Sequence, residues 1–573
     1  MCGIIGYIGK RKASELLLKA LERLEYRGYD SIGIAVVGEG LEILKDRGEV
    51  SEVSKTLNFT TLEGNSGIGH TRWATHGAPT QENAHPLTDC NEKIAVVHNG
   101  IIENYSELRK ELEDNGHKFK SETDTEVIAH LLENKNLPEV LDMLKGSYAI
   151  VAIKKDEPDK LLFARNRSPL IIGLGAGENF IASDIPAFLK ETNKVVVLEN
   201  GDYGYVKKES YEINNVEGSA DRKVQEINWN SEAAEKEGYE YFALKEIHEI
   251  PRTTENTMKA LEDLKPYAEE IRKYSRIMFT ACGTSYHTAL YGKYLFNSIG
   301  IRTEAVIGSE FSSVTIGKDD LVIAISQSGE TADTLSAVEK AKQRGAKILS
   351  ISNVLGSSLE READFSIHTL AGPEIAVIAT KTFSAQMLSL YLLYKMIKGE
   401  KPETGLEKMQ RTVLKLDAEI KKIAEKIQKK ENAYFIGRGI GYPLAMEGAL
   451  KLKEISYMHA EGMPAGELKH GTLSLIEKGT PVIVPLLPEM YDKTISNMEE
   501  VKARGGLIIA LSWEGDERVG DVASEVLRVP KTGNEEYPLL YILILQLLAY
   551  HVTVLRELSP DKPRNLAKCV TVE

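Results

Sequence analysis

Apolar residues follow two different rhythms along this chain. In residues 2–221, short apolar runs are punctuated by glycine: Ile32–Val37, Ile68–His70, Ile94–Val97, Tyr148–Ile153, Leu161–Ala164, Phe180–Ala182 and Val195–Leu198. Runs of this length bounded by turn residues predict β-strands. Helical spacing is confined to Ala13–Tyr26, Tyr105–Asn115 and Thr125–Glu133. Many strands and few helices predict a layered β-sandwich flanked by helices. From Arg222 to Gly238 the pattern dissolves into a polar stretch, RKVQEINWNSEAAEKEG, and a connector is expected at residues 222–240.

Beyond the connector, strand and helix patterns alternate, and the alternation occurs twice. Ile277–Ser285 (IMFTACGTS) is matched by Ala433–Gly441 (AYFIGRGIG), Leu321–Ser326 by Pro481–Leu486, and Ala341–Ser352 by Val501–Ser512. Arg344 and Gly345 align with Arg504 and Gly505 at an offset of 160. A repeated strand–helix alternation predicts two α/β domains with doubly wound parallel sheets, at residues 241–405 and 406–573. Ligands of such sheets sit outside the carboxyl ends of the strands. The apolar run Tyr537–Leu555 approaches the length of a membrane span. Pro538, Gln546, His551 and Thr553 within it, and the polar tail after it, favour a helix buried in a core or subunit interface.

Composition narrows the partners. With 573 residues, several domains are expected at about 150 residues each. The net charge of −14 argues against nucleic acid or an anionic membrane as the main partner, so an anionic ligand needs a local site. The four cysteines, Cys2, Cys90, Cys282 and Cys569, are far apart and show neither metal-ligand spacing nor a disulfide framework. That usage fits a reducing cytoplasm, and no metal or cofactor is expected. The N-terminal apolar stretch is short and runs into Lys10-Arg11-Lys12, unlike a signal peptide.

Cys2 opens the chemistry. Removal of Met1 would leave one residue with a nucleophilic thiol and a free α-amine, whose pKa near ~7.7–8.0 suits it to take and return a proton. Nucleophile and base would then share a residue. The plainer alternative is a small buried residue placed second by chance. Four polar clusters follow: Arg27–Ser31, His70–Gly77, His98-Asn99-Gly100 after a strand, and Ser121–Thr125 opening a helix. In this order behind Cys2 they resemble the N-terminal-nucleophile glutamine amidotransferases. That resemblance implies that Cys2 attacks the glutamine amide while Asn99 and the Gly100 N–H form an oxyanion hole. It also implies that Arg72 grips the substrate carboxylate and Asp124 its ammonium, with Arg27, Trp73, Thr75 and His76 lining the site. Taken singly, Arg72 could equally be a surface ion pair and His76 a hydrogen-bonded core histidine.

In the first repeat, Ser326-Gln327-Ser328-Gly329-Glu330-Thr331 lies between an apolar strand and a helix. Hydroxyls, a permissive glycine and helix N-terminal amides make an anion site. The bland alternative is an N-cap with a capping-box-like pattern. Cys282, Gly283, Thr284 and Ser285 offer a second such turn. The second repeat has Leu487-Pro488-Glu489-Met490 in place of the serine-rich loop. It carries instead Glu447, Lys451 and Glu454 on one face of a helix at Leu444–Tyr457. Such a face is more often a solvated salt-bridge stripe.

These pieces resemble paired sugar isomerase domains. With the N-terminal half, the chain from Cys2 to Glu573 resembles the isomerising glutamine:fructose-6-phosphate aminotransferase family. The resemblance implies glutamine and fructose 6-phosphate as substrates and a homodimer or higher homo-oligomer. Ser326, Gln327, Ser328 and Thr331 would hold the sugar phosphate and Lys568 would form a Schiff base. Glu454 would move a proton between C1 and C2, Lys451 would stabilise charge, and His470 would assist ring opening, from the same or a neighbouring subunit. Two positions depart from the family pattern: Ala379 stands where serine is usual before Thr380-Lys381, and Thr472 where proline follows His470-Gly471. Phosphoribosyl-transferring and asparagine-forming relatives would show paired aspartates before a phosphate loop, or a serine/glycine ATP loop, and neither occurs. A phosphosugar sensor would carry a helix-turn-helix, and none is evident.

Overall fold

In the computed structural model, which describes residues 2–73, 77–227 and 236–571 with the side chains of Leu261 and Glu262 excepted, two antiparallel sheets form the N-terminal part. The first has eight strands, in the order Val224–Glu226, Lys194–Val197, Ile171–Leu174, Asn179–Ala182, Gly3–Ile8, Ser66–Arg72, Ser31–Val37 and Leu41–Arg47. The second has seven, centred on Leu161–Asn166, Gly146–Lys154 and Ile94–Ile102. Alternating side chains divide between two faces. Ile4, Ile8, Ile68 and Ile181 of the first sheet pack with Val97, Val151 and Phe163 of the second. On the outer faces, Ile5 and Tyr7 meet Leu17 and Leu21 of the helix Ala13–Leu24, and Val96 and Ile150 meet Leu108 and Val127 of the helices Tyr105–Asp114 and Glu126–Asn134. The result is helix, sheet, sheet, helix.

Two elements differ from their sequence expectations. The strand expected at Ile94–Val97 continues to Ile102, so His98, Asn99 and Gly100 lie inside it, with Asn99 opposite Ala149 and Gly100 opposite Tyr148. The backbone ladder does not depend on side-chain polarity, and it runs on past the apolar stretch. Part of the expected connector, Val224–Glu226, pairs with Lys194–Val196 as an edge strand.

Residues 235–566 form a second compact unit. It holds two five-stranded parallel sheets of the same order. The first runs Arg302–Ile307, Arg276–Ala281, Asp320–Ser326, Lys347–Ser352 and Phe365–His368; the second runs His459–Pro464, Asn432–Gly437, Pro481–Pro485, Leu507–Trp513 and Glu525–Val529. The helix Tyr537–Leu555 is buried from Tyr537 to Thr553 within this unit's core, as a helix apolar on every side requires. Residues 567–573, which the sequence reading attaches to the second isomerase-type half, group instead with residues 1–234. There Cys569 is buried within electrostatic reach of Arg27.

Candidate functional sites

Cys2 precedes the central strand Gly3–Ile8, whose neighbour ends at Arg72. This register brings the thiol to the Arg72–Trp73 backbone: Trp73 N–H donates to Cys2 Sγ at 3.2 Å. Gly28 makes the approach of the third segment possible, since a Cβ there would stand 2.7 Å from Arg72 C and from Trp73 N. Arg27 Nε donates to the Cys2 carbonyl at 3.2 Å, and its guanidinium is anchored by Asp184 at 2.6 Å. Burial works most strongly against the Arg27 charge, but Asp184, Tyr26 and Cys569 together outweigh it and the pKa is raised. From the second sheet, Asn99 Nδ2 donates to the Cys2 carbonyl at 2.8 Å. The other end of that amide is held by His70, whose Nε2 lies 3.0 Å from Asn99 Oδ1. Burial pushes His70 down to about 3, so it stays neutral and positions Asn99 without adding charge. Gly100 has φ +128°, and a Cβ would collide with the Ser147 carbonyl at 2.0 Å.

Arg72 and Asp124 complete the wall. Burial lowers the Arg72 pKa, opposed by the fields of Cys2, Asp124 and Asp30. Its guanidinium donates to the carbonyls of Gly77 and Ala78, both at 3.3 Å. Asp124 is buried and accepts from Ile102 N–H at 2.8 Å. Thus Cys2, Arg27, Arg72, Trp73, Asn99, Gly100 and Asp124 gather at one end of the two sheets. Thr75 and His76 lie outside the described residues. Sequence reasoning missed two supports, His70 and Asp184. His70 belongs to the same polar cluster as Arg72, whereas nothing local marks Asp184.

In the second unit the strands Arg276–Ala281 and Asp320–Ser326 flank the point where the strand order reverses, the place where doubly wound sheets bind ligands. Both candidate turns leave these strands. Thr331 occupies the N-cap of the helix Ala332–Gln343 but does not cap it with its side chain; its hydroxyl pairs with Ser326 Oγ at 3.0 Å. Gly329 N–H also donates to Ser326 Oγ at 3.0 Å, and Glu330 N–H to Ser328 Oγ at 3.1 Å. The simple N-cap alternative therefore fails for Thr331. Gln327 is half-buried in the same loop. Cys282 starts the helix Gly283–Ser298, not an isolated turn, and accepts from Thr334 of the neighbouring helix at 3.7 Å. Burial raises its thiol pKa.

That helix carries the first half into the second. Lys451 Nζ donates to Thr284 Oγ1 at 3.0 Å and pairs with Glu454 at 2.6 Å and Glu447 at 3.5 Å. His287 Nδ1 lies 2.7 Å from Glu447 Oε2. Glu447 and Lys451 are 0% and 1% exposed, so the charged face is buried and not a solvated stripe. Burial disfavours both charges. Lys451 and His287 nevertheless hold the Glu447 pKa below the usual carboxylate range, and Glu454 and Glu447 raise that of Lys451. Ser285 Oγ donates to Gln386 Oε1 at 3.2 Å. His470 ends the short turn Ala465–His470 and is exposed. Lys568 is half-buried in the tail that groups with the first unit.

Known proteins match this layout. The glutamine amidotransferase domain family matches residues 70–190, and the SIS domain family matches twice, at 270–396 and 426–556. A glutamine–fructose-6-phosphate aminotransferase (isomerizing) of Pyrococcus horikoshii is 50% identical, and one of Thermococcus kodakarensis 48%, each alignment covering 100% of both chains. The chain belongs to that aminotransferase family. Among solved structures, the C-terminal domain of glucosamine-fructose-6-phosphate aminotransferase from Francisella tularensis superimposes with a TM-score of 0.53 at 37% identity. It covers 57% of this chain and 99% of that one. Directly after Ala379, where this aminotransferase departs from the expected serine, both backbone groups of Thr380 are held. Thr380 N–H donates to the buried Glu374 at 2.9 Å, and Gln546 donates to the Thr380 carbonyl at 3.2 Å.

Proposed function

We propose that this protein transfers the amide nitrogen of glutamine to fructose 6-phosphate and isomerises the product, yielding glucosamine 6-phosphate and glutamate. Membership along the whole chain in a family of enzymes of that name carries the reading. After Met1 is removed, the Cys2 thiol attacks the glutamine δ-carbonyl carbon while its own α-amine takes the thiol proton and returns it to the departing ammonia. The Asn99 amide and the Gly100 N–H stabilise the oxyanion, a role worth about 3–4 kcal/mol per donor. Water then releases glutamate from the thioester. Arg72 holds the substrate carboxylate and Asp124 its ammonium. Arg27 and Trp73 line the pocket, and Thr75 and His76 take part in glutamine binding.

At the other site, Ser326, Gln327, Ser328 and Thr331 hold the sugar phosphate, with the Cys282–Ser285 turn beside them and Ala379 contacting through its backbone. Lys568 forms an imine with C2 of the open-chain ketose, and ammonia replaces it. Glu454 then moves the proton from C1 to C2, and Lys451 stabilises the charge that develops between them. Exposed His470 assists ring opening in the site of a second copy, which makes the working form a homodimer or larger homo-oligomer, in the cytoplasm. The test supplies glutamine labelled with 15N in its amide, fructose 6-phosphate and excess unlabelled ammonium to the purified protein. Glutamate and labelled glucosamine 6-phosphate in equal amounts are expected. Glutamate without labelled amino sugar overturns the reading. Cys2→Ala should lower glutamate release at least about a thousandfold and leave fructose 6-phosphate binding intact.

A further inference from the structure

Away from both sites, four side chains from three separate segments converge in the N-terminal unit. Cys90 lies in the turn between the strands Leu87–Thr88 and Ile94–Ile102, His117 follows the helix Tyr105–Asp114, and His130 and Glu133 stand one turn apart on the helix Glu126–Asn134. We propose that Cys90, His117, His130 and Glu133 bind one zinc ion, which clamps these segments together.

Four of the six distances between the ligand atoms are near those of a coordination tetrahedron. Cys90 Sγ lies 3.7 Å from His117 Nδ1 and 3.5 Å from His130 Nδ1. Glu133 Oε1 lies 3.2 Å from His117 Nδ1 and 2.9 Å from His130 Nδ1. All four ligand atoms fall within 4.8 Å of one another. Metal–sulfur bonds of about 2.3 Å and metal–nitrogen or –oxygen bonds of about 2.0–2.1 Å give tetrahedral edges of roughly 3.3–3.6 Å. The cluster is compact enough for one ion to draw all four ligand atoms onto it.

The surroundings suit the same reading. Both imidazoles present the same nitrogen inward. The outward Nε2 of His130 faces Glu126 Oε1 at 3.5 Å, on the side where a carboxylate commonly orients a metal-bound histidine. Glu126 is itself fixed by the N–H groups of Lys120 and Ser121, both at 2.7 Å. Lys118 N–H donates to Cys90 Sγ at 3.4 Å, as backbone amides do toward a coordinated thiolate. A thiolate, two imidazoles and one carboxylate select zinc-like cations over calcium or magnesium. Four protein ligands close the coordination sphere, which makes the site structural. Binding releases the Cys90 thiol proton to solvent.

The ion has a place to act. Asp124 and Thr125 directly precede the clamped helix, and Thr125 Oγ1 lies 2.8 Å from His98 Nδ1 on the strand that carries Asn99. The clamp therefore holds one wall of the Cys2 site. Full-length protein equilibrated with zinc chloride and freed of excess by gel filtration should retain about one zinc per chain by plasma mass spectrometry. Cys2→Ala should retain it too. Cys90→Ser and His117→Ala should each weaken zinc binding at least about tenfold, with circular dichroism verifying that the chains are folded. Cobalt exchanged into the site should show a thiolate-to-metal absorption band that Cys90→Ser abolishes. Wild-type protein that keeps no zinc, equal zinc in wild type and Cys90→Ser, or a cobalt spectrum without the thiolate band would each overturn the proposal.

Discussion

The two five-stranded sheets of residues 235–566 share a strand order and differ in what stands at the ends of their strands. After its third strand the first sheet places Ser326–Thr331, all hydroxyls, amides and one glycine apart from Glu330; the second places Leu486, Leu487 and the turn Pro488–Met490. After their first strands, equivalent helices start at Gly283 and Gly441, and here the charge belongs to the second half. The eleventh residue of each helix is lysine. Among the described residues Lys293 has no ion pair, whereas Lys451 is buried between Glu447, Glu454 and Thr284. One architecture thus offers the same two positions twice, and the residues there divide the labour between them. Fold fixes where chemistry can sit; side chains decide what it is.

The largest way to break this division is at the two lysines. Lys451→Ala leaves Glu447 buried beside His287 without its main counter-charge, and a loss of about 3–5 kcal/mol in urea unfolding is expected. Lys293→Ala, at a half-buried position, should cost no more than about 1 kcal/mol, the ordinary size of a substitution that breaks no buried ion pair. Similar losses at both positions would show that the halves are energetically equivalent.

Next in size is the hydroxyl loop. If this loop holds the sugar phosphate as proposed, Ser328→Ala or Thr331→Ala removes a hydrogen bond to a charged group, about 1.5–3 kcal/mol, so KM for fructose 6-phosphate should rise about ten- to a hundredfold. KM for glutamine should not move. Equal changes in both constants would reduce the loop to a structural turn.

The pH dependence sharpens the same contrast. Glu447 is held below its ordinary range, so its contribution is complete above that range and disappears as pH falls through the depressed value. Lys451 is raised, so its contribution is complete below the ordinary lysine range and is lost as pH climbs through the raised value. The stability gap between wild type and Lys451→Ala should therefore be widest near neutrality and shrink on acidification. A gap that is constant with pH would mean that lost packing, not charge, sets it. The smallest effect concerns Ala379→Ser: with the neighbouring backbone already fixed by Glu374 and Gln546, KM for fructose 6-phosphate should change less than about threefold, under 1 kcal/mol. A larger gain would identify a side-chain contact that this chain lacks.

Much of the architecture was legible because it depends on local pattern. Short apolar runs became strands, the repeat became two sheets of one order, and the apolar run Tyr537–Leu555 became a core helix. The end of the strand Ile94–Ile102 was not legible. Polarity predicts which face a residue prefers, while the ladder with Gly146–Lys154 decides how far the strand runs.

By itself the sequence determined the order of elements, the duplication, the family, and the residue types gathered behind Cys2. Tertiary structure alone decided which charges are buried and which distant groups meet. The i, i+4, i+7 spacing of Glu447, Lys451 and Glu454 is the same on a wet face as on a dry one. Only the packing of the helix Gly283–Ser298 against it removes the water and turns a salt-bridge stripe into a buried network. The same reason applies to Cys90, His117, His130 and Glu133. Their spacing carries no metal signature, because a turn, a loop and a helix supply the ligands and the chain between them spaces them for folding, not for coordination.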